Sequence, residues 1–104
     1  MRKNFFEIEL SEIFDGTQNK PFHEKVSAAL ESDCDAILVN CQKVTFMDSS
    51  GLGSMITALK LARNAGKKFC ICSINRQVNM LLNLTDTQKI FTIYPDRETF
   101  YNSN

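Results

Sequence analysis

The chain has 104 residues, enough for one domain with a single core and too few for two. Lys and Arg number 12 and Asp and Glu number 12, so the formal net charge is zero and no basic field invites nucleic acid or an anionic membrane. No apolar run approaches the roughly 18 residues needed to span a bilayer.

The first residues, Met1-Arg2-Lys3-Asn4, lead into acidic positions rather than a signal-peptide core. A cytoplasmic protein is therefore expected, without membrane insertion. The four cysteines agree: Cys34, Cys41, Cys70 and Cys72 lie in or beside apolar stretches and lack the spacing of a disulfide scaffold.

From Phe5 to Leu10, the apolar residues Phe6, Ile8 and Leu10 alternate with Glu7 and Glu9, the pattern of a strand with one buried and one wet face. Asp15-Gly16-Thr17 reads as a turn and helix cap. In the helix that follows, Phe22, Val26, Ala29 and Leu30 form the apolar stripe, and Ser32-Asp33 breaks it. Ala36-Ile37-Leu38-Val39 is a continuous apolar run, as in a central strand covered on both faces.

Val44, Phe46 and Met47 close the next apolar stretch, and from Leu52 onward Met55, Ile56, Leu59 and Ala62 recur at helical spacing. The change of period falls on Asp48-Ser49-Ser50. Asp and Ser are preferred helix caps because a side-chain oxygen accepts from the unpaired N–H groups of the first turn. Gly51 and Gly53 leave that turn open to solvent or a partner. A phosphate on Ser49 would suit the helix end and would stand beside Asp48, adding about −1.5 to −2 charges to that surface. The same residues are also good helix-start chemistry with no further role.

The helix is predicted to end at Asn64-Ala65-Gly66, with Gly66 as its C-terminal residue. Lys67–Ile74 follows as a strand, Val78–Leu84 as a helix, and Ile90–Tyr94 as a last strand stopped by Pro95. Asp96 caps a short final helix carrying Phe100 and Tyr101, placed to seal one end of the core. Strands separated by helices argue for parallel crossovers. Cys70 and Cys72, two apart on a strand, share one face and read as buried thiols. The lone His23 has no companion ligand, so neither a metal nor another cofactor is expected.

The segment Val44-Thr45-Phe46-Met47-Asp48-Ser49-Ser50-Gly51-Leu52-Gly53 resembles the signature of the STAS domain. The branch it is similar to is that of bacterial anti-sigma factor antagonists typified by the sporulation regulator SpoIIAA. Ile37-Leu38-Val39-Asn40, Ile13-Phe14-Asp15 with its helix, Gly66 to Cys72, and the Val78–Leu84 helix fit in order and spacing. The resemblance implies one STAS domain over residues 1–104: an α/β fold with a mixed, mostly parallel sheet of four or five strands and four or five helices packed mainly on one face.

It further implies a non-enzymatic binding module that holds an anti-sigma factor with serine kinase activity. Phosphorylation of Ser49, with Ser50 as the secondary candidate, would end that binding, and a metal-dependent serine phosphatase of the PP2C type would restore it. Asp15, Asp48, Ser49, Ser50, Gly51, Leu52 and Gly53 are the implied partner-binding residues. The alternative is a STAS scaffold or adaptor in a stress-signalling or transporter complex.

Three departures are visible. The strand that usually precedes Phe5–Leu10 is expected to be absent, Glu12 stands where Gly is usual, and Thr85-Asp86-Thr87 replaces a Gly-containing turn. A serine hydrolase is disfavoured because His23 lies on another helix and Gly-x-Ser-x-Gly is absent. Ile56 occupies the third glycine position of a dinucleotide-binding fingerprint, which excludes that motif.

Overall fold

A computed structural model describes residues 4–103. The Met1–Lys3 start lies outside the described residues, as does any strand ahead of Asn4. Four strands, β1 (Phe5–Glu9), β3 (Ala36–Asn40), β5 (Lys68–Cys72) and β6 (Thr92–Tyr94), form a sheet in the order β1-β3-β5-β6. Every pairing among the described residues is parallel. Over the described residues the sheet is therefore four-stranded and uniform in direction, because each strand is reached by a crossover. A separate parallel pair joins β2 (Ile13–Phe14) to β4 (Phe46–Met47).

The helices are α1 (Asn19–Glu31), α2 (Ser49–Asn64), α3 (Arg76–Leu84) and α4 (Arg97–Tyr101). Asp15 caps a single 3-10 turn at Gly16–Gln18, and α1 begins only after it. None of the described helices is long and apolar enough to cross a membrane.

β3 is buried along its whole length, as its unbroken apolar run requires, and its alternating side chains divide the core in two. Ile37 and Val39 join Ile8, Phe69 and Ile71 beneath α1, α2 and α3, which contribute Val26, Leu52, Met55, Leu59, Val78 and Leu82. Ala36 and Leu38 face the other way with Cys70, Cys72 and Phe100 of α4. Three of the four helices thus pack on one face.

That second face corrects part of the expectation of a wet side to β1: Glu9 is exposed as its alternation requires, but Phe5 and Glu7 are covered. Phe5 meets Phe100 edge-on at 5.0 Å and Tyr101 at 6.1 Å, and Glu7 accepts from Arg97 Nε at 2.6 Å and from the buried Asn40 Nδ2 at 3.0 Å. The C-terminal helix returns to cover the first strand, a pairing across 90 positions that local periodicity does not carry. The strand limits also tighten: β5 stops at Cys72 and β6 begins at Thr92, since Ile90 closes a turn onto Thr87.

Candidate functional site

The site is assembled where β2 and β4 run side by side and each ends in an aspartate. Phe14 pairs with Met47, so Asp15 and Asp48 follow at matching positions, each opening a helical turn. Asp15 accepts from the Thr17 N–H at 3.0 Å and from its hydroxyl. The Thr17 hydroxyl first, then the backbone bond, holds the Asp15 carboxyl below the ordinary aspartate range. Asp48 accepts from the Gly51 N–H at 2.9 Å and caps α2. That N–H is thereby occupied by the cap.

Ser49 and Ser50 occupy the first two positions of α2 and both are exposed. The two differ in surroundings. Ser50 lies against the loop after β2, where a Cβ on Gly16 would stand 3.7 Å from its own. It also borders a groove of about 660 Å3 between α1 and α2, lined in addition by Asn19, Lys20, His23, Gly53, Ser54 and Thr57. Ser49 does not line that groove. His23 and Ser50 therefore border one cleft, yet no carboxylate lines it to orient a histidine base, and the arrangement is not a nucleophilic triad. Among the described residues no three His, Cys, Asp or Glu side chains gather into a metal site.

The glycines part company. A Cβ on Gly51 would lie 2.1 Å from the Phe14 carbonyl oxygen, whereas nothing stands within 4 Å of one on Gly53. Gly51 and Leu52 are buried, Leu52 in the core under α2. Both pack α2 down, Gly51 against β2 and Leu52 into the core, and of the three residues expected at a docking surface Gly53 alone is exposed. Ile13 and Phe46, cross-strand partners at 44% and 45% exposure, form an apolar pair beside the aspartates that the sequence did not single out.

Two amides in α3's approach also escaped notice. Asn75 caps α3 through the Val78 N–H at 2.8 Å and donates to the Val44 carbonyl at 2.9 Å. Gln77 Oε1 accepts from the Met47 N–H at 2.9 Å, and Gln77 Nε2 donates to the Met47 carbonyl at 2.7 Å. Asn before an apolar run is a readable cap signal. A glutamine that bridges 30 positions leaves none.

The fold and this junction define the class: residues 2–100 match the family model of the STAS domain, and the chain belongs to that family. Over 61 residues it is 36% identical to a protein of Paenibacillus polymyxa named anti-sigma F factor antagonist, a match spanning 59% of this chain and 52% of that protein. The chain thus aligns with about half the length of this curated relative. The structure of the anti-sigma factor antagonist SpoIIAA in its unphosphorylated form superposes with a TM-score of 0.77 at 17% identity, over 95% of this chain and 87% of that one. The STAS domain of a SulP transporter from Vibrio cholerae superposes with a TM-score of 0.76 at 20% identity, over 95% and 79%.

Proposed function

We propose that this protein is an anti-sigma factor antagonist whose binding surface is switched by phosphorylation of Ser49. The observation that carries the reading is the exposed Ser49 at the start of a capped α2, flanked by Asp48 and Asp15 at the ends of paired strands. The relative named anti-sigma F factor antagonist supports it, as does a SpoIIAA solved also in a phosphorylated form. The partner is an anti-sigma factor with serine kinase activity, and a PP2C-type phosphatase resets the switch. The protein itself is not an enzyme and works in the cytoplasm.

The physics asks little of the fold. A partner docks over Asp15, Asp48, Ser49, Ser50 and Gly53, while Gly51 and Leu52 hold that surface from beneath. A phosphate adds about −1.5 to −2 charges beside two carboxylates. Buried in an interface without a matching cation, it costs several kcal/mol, roughly a hundredfold or more in affinity.

The test begins with mass spectrometry of the protein and its co-purifying partner from its own cells. Phosphate on Ser49 and an ATP-binding kinase are expected. Ser49→Ala should then retain the partner and Ser49→Asp should release it; equal affinity of the two removes the switch. Likeness to a SulP transporter STAS domain supports a second reading, an adaptor in a transport or stress-signalling assembly. A membrane-transport partner and no phosphate would favour it.

A further inference from the structure

In a parallel pair, alternate residues direct their backbone groups to opposite edges. Phe46 and Asp48 donate toward β2, to Glu12 and Phe14, at 3.2 and 3.4 Å. Met47 must turn its N–H and C=O to the other side, and no strand lies along that edge of β4 among the described residues. The Gln77 amide stands there instead and matches Met47 donor to acceptor and acceptor to donor. Asn75 ties Val44 on the same side. Two residues beyond Met47 is Ser49.

We infer that Gln77 is the positioning residue of the Ser49 turn, and that through it the first turn of α3 and the start of α2 shift as one unit. The inference deepens the reading of Ser49 as the phosphoacceptor and rests on it. β2 and β4 are two residues each, so their own ladder is too short to fix where β4 ends. A primary amide is suited to the task, because it carries an N–H donor and a carbonyl acceptor side by side as a peptide does. A charge placed on Ser49 therefore reaches α3 along a short covalent and hydrogen-bonded path, Ser49 to Asp48 to Met47 to Gln77.

The experiment is amide exchange and side-chain amide NMR on the full chain, with no kinase or partner present. In Gln77→Met, which keeps the length and loses the amide, the Met47 N–H should exchange about tenfold faster or more, with Ile37–Val39 and Phe69–Ile71 unchanged. In Ser49→Asp, the Gln77 side-chain amide signal should move; in Thr57→Asp, two turns further along α2, it should stay. Unchanged Met47 exchange, or a rise shared equally by the central strands, overturns the assignment. So does a Gln77 signal indifferent to Ser49→Asp, a readout that needs no Gln77 variant to fold. A phosphate on Ser49 in cells together with any of these results would keep the switch and remove Gln77 from it. A clamp that behaves as stated in a protein never phosphorylated would remove the switch alone.

Discussion

Two glycines of the same helix turn answer different demands, and substituting each by alanine separates them. At Gly51 the new methyl would meet the Phe14 carbonyl oxygen at 2.1 Å, so α2 and β2 must part. Because the atom met is backbone and cannot swing aside, that strain falls toward the upper end of about 1–3 kcal/mol and outweighs the helix propensity of roughly 1 kcal/mol that alanine gains over glycine. At Gly53 the methyl meets nothing, and only the propensity gain of about 0.5–1 kcal/mol remains. Urea denaturation should show Gly51→Ala destabilised and Gly53→Ala stabilised. If Gly53 is part of the docking surface, the more stable variant should also bind its partner more weakly. The spacing Gly51-Leu52-Gly53 gave both residues one role, since sequence shows that side chains are missing and not what fills the space left.

At the scale of elements, α2 and α3 end by the same device with different residues. After α2, Gly66 at φ 73° donates to the Arg63 carbonyl at 3.0 Å and Lys67 to that of Ala62 at 2.9 Å. After α3, Asp86 at φ 59° donates to Asn83 at 3.2 Å and Thr87 to Leu82 at 2.9 Å. Both are Schellman closures, in which glycine carries no Cβ penalty and aspartate carries some. The turn that lacks its usual glycine is therefore built in the glycine conformation. Asp86→Gly should stabilise the fold by about 0.5–1 kcal/mol, seen as a raised thermal midpoint. Glu12 differs: its backbone is not in the left-handed region, and its carbonyl receives Thr45 and Phe46 at 2.7 and 3.2 Å, so nothing there demands glycine. Helices α1 to α3 were legible because each repeats its period long enough to be counted, and strand β3 because its apolar run is unbroken. β2 and β4, with two residues each, are too short for any period, and the 3-10 turn before α1 is hidden inside a good cap sequence.

For the whole molecule, the sheet's two faces explain the thiols. Cys70 and Cys72 do share a face, as their spacing requires, and pack with Phe100, while Cys34 and Cys41 belong to the larger core beneath α1 to α3. Burial, then the neighbouring Cys72, pushes the Cys41 thiol up to about 12, and burial raises Cys72 as well. A raised folded value means that the stability is fully present below the ordinary thiol value of 9.0 and is lost as pH climbs toward 12. The urea midpoint should hold up to about pH 9 and fall above it, and at pH 8 iodoacetamide should spare all four thiols until the chain is unfolded. The sequence offered Phe100 and Tyr101 as a seal; what it did not convey is that the seal closes over β1, because Arg97 and Glu7 meet across 90 positions. That closure has a consequence for synthesis. Among the described elements a ribosome delivers β1 ahead of α4, at about 5–20 residues per second, so the described strands can all be laid down while the ring of Phe5 still lacks Phe100 and Tyr101. The Ser49 junction, whose parts end with Gln77, emerges before that cover arrives. A nascent chain can thus hold the β4–α2 turn with its Gln77 contacts on a sheet whose rear face is still bare to chaperones.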